Sequence, residues 1–192
     1  MCRVPLVLAS ASPRRLDLLA QIGIVPDRVV FPDIDETPAR TELPRPYALR
    51  LARAKVDAVE APGYLVLAAD TVVAVGRRIL PKADTEADAR RCLALLSGRR
   101  HRVLTAVVLA IPGGKPRSER LVTSVVAFAR LTGPQLDAYL AGGEWRGKAG
   151  GYAIQGQAAM FVRFLSGSYS NVVGLPLFET AQLLRGAGWK LP

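Results

Sequence analysis

Residues Val4–Gly23 read VPLVLASASPRRLDLLAQIG. The apolar run up to Ala9 has the character of a buried strand, and Ser12-Pro13 opens a helix that runs to about Ile22 before Gly23 ends it. Serine is a favoured N-cap, proline suits the first helical position, and glycine follows the last turn. The strand therefore feeds through a tight Ser-rich turn into a helix N-terminus, whose free backbone N–H groups make an anion site. Arg14 and Arg15 fall in the first turn. There the helix dipole makes a cation unfavourable by about 0.3–1 kcal/mol each. The cost makes sense if a phosphate arrives and is bound bidentately; otherwise both guanidinium groups point into water. No G-x-x-x-x-G-K-[ST] run is present, so this is not a Walker loop.

Outward from this unit, strands and helices alternate. DRVVF is a short strand, PDIDETPARTELPRP a loop, and YALRLARAKVDAVEA a helix with Ala48, Leu51, Ala52, Lys55 and Val59 on one face. YLVLAAD is a strand ending at Asp70, and TVVAVGRRIL a further extended stretch with a turn at Gly76. TEADARRCLALLSG is a helix capped by Asp84 or Thr85. HRVLTAVVLAIPGGKPRSERLVTSVVAFARL forms two long strands joined by a hairpin turn. After the short helix TGPQLDAYLAGG come the glycine-rich GKAGGYAIQG, the strand MFVRFL, the loop SGSYSNVVGLP and a closing helix PLFETAQLLRGAG. Alternation without repeats predicts an α/β fold with a mixed sheet.

The 192 residues suit one domain, and half of them are hydrophobic, enough for a real core. No apolar run approaches the roughly 20 residues of a membrane span, and no signal-peptide pattern opens the chain. Cys2 and Cys92 are the only cysteines and form no C-x-x-C, which excludes a disulfide framework and a zinc site and suits a cytoplasmic protein. The formal net charge is +10. Such a chain can bind nucleic acid, anionic lipid or phosphorylated small molecules. The basic residues come as scattered pairs without a stacking platform of aromatics, which disfavours nucleic acid. Of the 26 basic residues only five are lysines, Lys55, Lys82, Lys115, Lys148 and Lys190. In an arginine-rich chain a lysine can be kept for its compact ammonium.

The acids Asp33, Asp35 and Glu36 share one loop, and Asp70 stands at a strand end, where α/β folds place ligands. With His101 as the sole histidine, a histidine-based metal site is excluded, but carboxylates can hold Mg²⁺ or Mn²⁺ together with phosphates and water. Lys55 either snorkels along its helix or points into a cleft. His101, at a strand start, reads as structural. Gln155 is an amide able to meet a base edge.

Together S-x-S-P-R-R-x-x-L-L, the loop DE, L-A-x-x-K, A-D-T-V-V, a lysine loop, K-A-G-x-Y-x-I-Q-G and G-S-Y-x-N-V-V-G-L-P-L resemble the Maf proteins, over Leu8 to about Glu179. The resemblance implies a fold similar to inosine triphosphate pyrophosphatases: a single domain over residues 1–192, with a long mixed sheet, flanking helices and two lobes around a cleft. It implies a metal-dependent pyrophosphatase that cuts nucleoside triphosphates to monophosphate and pyrophosphate, with Mg²⁺ or Mn²⁺ as cofactor and a homodimeric state. By the same resemblance Ser10, Arg14 and Arg15 are the signature loop that binds substrate. Glu36 and Asp70 are the metal acids, and Asp70 is also the proton acceptor. Lys55 and Lys82 are catalytic lysines, Thr71 bears on substrate choice, and Gln155 reads the base. Lys148 also falls at a motif position. Ala83 departs from the family, which usually has proline there. K-A-G-x-Y-x-I-Q-G marks the branch acting on dTTP and UTP; the alternatives are the 7-methyl-GTP branch, a nucleic-acid-binding module, or a regulator of septum formation, the role for which the family was named.

Overall fold

The computed structural model describes residues 4–113 and 115–190. In chain order the elements are β1 (Leu6–Ala9), α1 (Pro13–Gln21), β2 (Arg28–Val30), α2 (Pro44–Asp57), β3 (Leu65–Val75), β4 (Arg78–Leu80) and α3 (Glu86–Leu96). There follow β5 (Arg100–Ile111), β6 (Lys115–Phe128), α4 (Gly133–Gly142), a 3₁₀ turn (Gln157–Phe161), β7 (Val162–Ser166), α5 (Tyr169–Val173) and α6 (Leu177–Gly186). Cys2 lies outside the described residues, as does Gly114 in the hairpin turn, and Cys92 is a buried free thiol.

The strands form one mixed seven-stranded sheet in the order β2-β1-β3-β5-β6-β7, with β4 added on β3. β1 runs parallel to β2 and β3, and the other pairings are antiparallel. Period-two alternation along β3 supplies both faces. Val66, Ala68 and Val72 pack with Ala48, Leu51, Ala52 and Val56 of α2. Leu65, Leu67, Ala69 and Val73 belong to the larger cluster, which takes Leu18 and Leu19 from α1, Leu93 and Leu96 from α3, and Leu183 and Leu184 from α6. Each fully buried leucine is worth roughly 1.5–3 kcal/mol relative to exposure.

The structure differs from the sequence expectations at four places. Asp70 does not end a strand: β3 continues through it to Val75, because β5 pairs with β3 without interruption from Val66 to Ala74. The opposite edge of β3 is the discontinuous one. β1 covers it as far as Ala68 and β4 resumes at Val73, so Asp70 and Thr71 face a gap between two partner strands. The helix expected from Tyr47 begins at Pro44, since prolines in a first turn need no donor. Ser12 occupies the N-cap of α1 but makes no side-chain cap hydrogen bond; its own N–H instead donates to Ser10 Oγ at 3.2 Å. The segment expected as a loop, SGSYSNVVGLP, contains α5, which Ser168 caps by accepting from Asn171 N–H at 3.2 Å. Thr85, one of two expected caps, starts α3 with a capping box completed by Asp88.

His101 is structural, as expected. It is 2% exposed, lies edge-on to Phe128 and Tyr152, and has Nε2 2.8 Å from the Tyr152 hydroxyl. Burial pushes its pKa down from 6.5 to about 4. The unfolded chain therefore takes up a proton more readily, so this contribution is complete above about pH 6.5 and is lost as pH falls toward 4. Because no other histidine is present, urea denaturation should show stability falling by about 1–2 kcal/mol between pH 7 and 5. His101→Gln, whose amide can still meet Tyr152, should remove most of that fall; an equal fall in the variant would contradict the assignment.

Candidate functional site

The gap on β3 opens into a cavity of about 420 Å³, within the range of small-ligand sites. The start of α1, the Glu36 loop, the Lys82 turn, the 146–149 segment and the end of α5 line it. Ser10, Arg14, Arg15, Glu36, Lys55, Asp70, Thr71 and Lys82, eight of the nine expected site residues, line this one cavity. The ninth, Gln155, is exposed and stands outside the lining.

At the centre is a cluster of four charges. Lys55 projects from α2 onto the same face of β3 as Asp70, and its Nζ lies 2.5 Å from Asp70 Oδ1 and 2.8 Å from Glu36 Oε1. Lys82 pairs with Glu36 Oε2. Lys55 and Asp70 are 7% and 5% exposed, so the lysine points into the cleft and does not snorkel. Burial pushes the Glu36 carboxyl up, but the hydrogen bonds and charges of Lys55 and Lys82 outweigh it and hold the acid below its ordinary value. Sequence reasoning missed what pins the Glu36 loop. The Tyr47 hydroxyl donates to the Glu36 carbonyl at 2.6 Å, and Arg50 donates to the Thr37 carbonyl at 3.0 Å. Tyr47 and Arg50 stand on α2, as Lys55 does, so one helix positions both sides of the cluster.

The two arginines of the first turn part company. Arg15 is buried and tied to protein atoms: Nε donates to the Gly174 carbonyl at 2.9 Å, one Nη to Ser10 Oγ at 2.8 Å and the other to Thr71 Oγ1 at 3.4 Å. Thr71 Oγ1 lies 3.0 Å from Thr105 Oγ1, and Thr105 donates to the Asn171 carbonyl at 2.9 Å. Asn171, fully buried, donates to the Val103 carbonyl and to Ser124 Oγ. Such a network orients Arg15. Thr71, Asn171 and Gly174 belong to the motifs quoted above, whereas Thr105 and Ser124 lie outside them and are signalled only as polar residues interrupting apolar strands. Arg14 has no hydrogen-bond or ion-pair partner among the described residues, and burial lowers its pKa. A partly desolvated guanidinium without a counter-charge is what an anion site needs.

The Lys82 turn and the glycine-rich segment are zipped together. Ala83 N–H donates to the Lys148 carbonyl at 3.1 Å, Gly147 N–H to the Ala83 carbonyl at 2.9 Å, and Gly150 N–H to the Pro81 carbonyl at 3.0 Å. A proline at position 83, as the resemblance leads one to expect, could not make the first of these bonds, whereas Ala83 does. Gly150 is at φ +69°, and a Cβ there would come 2.9 Å from Val73 Cγ1. Gly156 lies so close to Glu144 that any side chain would collide with its carboxylate, which accepts from Gln157 N–H at 2.8 Å.

Among the described residues no group of three or more His, Cys, Asp and Glu gathers to hold a metal. Two carboxylates, Glu36 and Asp70, share the Lys55 ammonium, and Asp70 Oδ2 has no hydrogen-bond partner among the described residues. This donor set fits a hard cation such as Mg²⁺, which keeps several waters and takes phosphate oxygens.

Comparison with known proteins places the chain. The family profile described as "Maf-like protein" matches residues 5–187. A dTTP/UTP pyrophosphatase of Rhodospirillum rubrum is 65% identical, over 97% of this chain and 89% of its own length. One of Caulobacter vibrioides is 63% identical, over 96% of each chain, and one of Gluconobacter oxydans 66%, over 96% of this chain and 87% of its own. A solved HAM1 protein from Coxiella burnetii has the same fold, with a TM-score of 0.50 at 18% identity, over 95% of this chain and 99% of that one. Among the described residues no helix is long and apolar enough to cross a membrane.

Arg14→Ala separates an anion site from a mere surface charge. Turnover should fall at least about tenfold, as expected for a lost charge-assisted bond. The melting temperature should stay level or rise slightly, since a cation leaves the positive end of α1. Steady-state kinetics alongside thermal unfolding check both; unchanged kinetics would remove phosphate as the partner of Arg14.

Proposed function

We propose that this chain, which belongs to the Maf family, is a nucleoside triphosphate pyrophosphatase acting on dTTP and UTP. The observation that carries the reading is the ammonium of Lys55 shared by Asp70 and Glu36 at the floor of a cationic cavity. Six cationic side chains line that cavity against two carboxylates, a formal surplus of four positive charges. That surplus matches the charge of a triphosphate. The relatives' names supply the substrate class.

Water attacks the α-phosphorus, a P–O bond forms, and the bond from the α-phosphorus to the α–β bridging oxygen breaks. Pyrophosphate leaves with that oxygen, and the proton of the water passes to Asp70 or solvent. Asp70 Oδ2 has no hydrogen-bond partner among the described residues and is available to orient the water, while Lys55 holds the carboxylate in place. Lys55, Lys82 and Arg14 neutralise charge that builds on the phosphoryl oxygens. Arg15, held by Ser10, Thr71 and Gly174, keeps the signature turn in shape. Mg²⁺ or Mn²⁺, held by Glu36 and Asp70 with water and substrate, would supply further charge neutralisation and a more acidic water. A cytoplasmic setting and a homodimer belong to the same proposal; the buried free thiol of Cys92 is in keeping with the first of these.

Gln155 is exposed and stands three residues beyond Tyr152, a cavity-lining residue; its part in reading the base rests on the motif K-A-G-x-Y-x-I-Q-G. Its neutral amide offers a donor and an acceptor to the matching edge of thymine or uracil, whereas a carboxylate would suit the donor edge of 7-methylguanine.

A nucleotide panel assayed with Mg²⁺ or Mn²⁺ for pyrophosphate against phosphate release tests the proposal. Pyrophosphate from dTTP and UTP, ahead of ATP, GTP and 7-methyl-GTP, is the expected result; faster turnover of 7-methyl-GTP would overturn the substrate assignment. Asp70→Asn should fold and lose about 100-fold or more in rate, equivalent to about 3 kcal/mol of transition-state stabilisation. Gln155→Glu should erode base preference while leaving the metal requirement unchanged, and a variant with the parent's preference would take Gln155 out of base recognition.

A further inference from the structure

Lys148 lines the cavity and has no place in the hydrolytic cluster. Of the cations in the lining, Lys55 and Lys82 are neutralised by Glu36 and Asp70. Arg15 is committed to Ser10, Thr71 and Gly174, and Arg146 lies over the Trp145 ring at 4.8 Å. Arg14 and Lys148 remain, and neither has a carboxylate partner among the described residues. The one hydrogen bond of Lys148 Nζ is to the Arg146 carbonyl at 3.3 Å.

The position of Lys148 is set by backbone. Its carbonyl accepts from both Ala83 and Gly151 N–H, at 3.1 and 2.9 Å, and Ala149 bridges to Lys82. The lysine is thus mounted on the support that carries Lys82. Lys148 is held below its ordinary pKa first by burial and then by the charge of Arg14, with Glu144 opposing. Two cations placed to repel one another, each partly withdrawn from water, are stabilised by a polyanion between them. Hydrolysis between the α- and β-phosphates yields one product with a single phosphate and one with two. The acids belong beside the phosphorus that water attacks, and the unneutralised cations suit the more highly charged product.

Given the pyrophosphatase reading, on which this inference rests, we propose that Lys148 binds the β- and γ-phosphates together with Arg14, forming a clamp for the departing pyrophosphate. Lys148 is then a substrate-binding residue in its own right, with its largest effect on ligands that carry more than one phosphate.

Isothermal titration with inorganic pyrophosphate in the presence of Mg²⁺ tests this on the full chain. Lys148→Met should weaken pyrophosphate binding about tenfold, the scale of one charge-assisted contact. Lys148→Arg should restore most of the affinity, and dTMP binding should change less than about twofold. Lys190→Met, at an exposed lysine outside the cavity lining, controls for net charge and should bind as the parent does. Pyrophosphate affinity in Lys148→Met within about twofold of the parent overturns the clamp, as does an equal loss for dTMP. Lys148→Gln provides the same reading if the methionine variant does not fold. Unchanged pyrophosphate binding in a chain that still hydrolyses dTTP removes the clamp and leaves the hydrolase; absence of dTTP turnover in the parent removes the hydrolase reading whatever Lys148 does.

Discussion

The ammonium of Lys55, shared between Asp70 and Glu36, is the contact on which the site depends. Asp70 sits on the α2-facing side of β3 in line with Val66, Ala68 and Val72, positions that belong to an apolar core. A carboxylate there is tolerable only if it is paired, and removing one partner of a buried ion pair costs on the order of 3–5 kcal/mol. Lys55 reaches it because α2 lays its apolar stripe on the same face, one turn from Leu51 and Ala52. The ion pair is therefore set by hydrophobic packing of the helix that carries it. Glu36 comes from a loop with no regular structure of its own and depends on the same helix through Tyr47 and Arg50.

The mixed topology creates the space into which this cluster opens. A parallel neighbour that stops at Ala68 and an antiparallel one that starts at Val73 leave one edge of β3 open for four residues, while β5 keeps the other edge rigid. Asp70 and Thr71 point to opposite faces by the pleat. Asp70 joins the lysines, and Thr71 joins the network of Arg15, Thr105 and Asn171. Adjacent residues in one strand thus tie together the acid–lysine cluster and the Ser10–Arg15 turn, which lie on different layers of the fold.

Charge is distributed unevenly around the cavity, and the distribution carries chemical meaning. Where acids are present, lysines neutralise them; where the start of α1 faces the 148 segment, Arg14 and Lys148 carry no such partner. Elsewhere the high arginine content is partly absorbed by surface pairs such as Arg53–Glu119 and Arg90–Asp137. Exposed pairs of this kind contribute at most about 1 kcal/mol each, so they shape solubility more than stability.

Local signals made much of this legible. The Ser-Pro start of α1, the stripe along α2, the long hairpin of β5 and β6 and the Thr85 cap follow from propensity and periodicity, which act within a few residues. The motif residues Ser10, Arg14, Arg15, Glu36, Lys55, Asp70, Thr71 and Lys82 could be named from their order along the chain. Their division of labour could not. That Arg15 is occupied by protein atoms while Arg14 is free depends on Gly174, 159 residues away from Arg15. That Asp70 lies within a strand, and not at its end, depends on pairing with β5 across the sheet. That Lys148 shares a support with Lys82 depends on backbone hydrogen bonds between segments about 65 residues apart. Sequence pattern reports which residue types are available along one element. Which of them are desolvated, paired or left without a partner is decided by what packs across from that element, and only the tertiary structure supplies it.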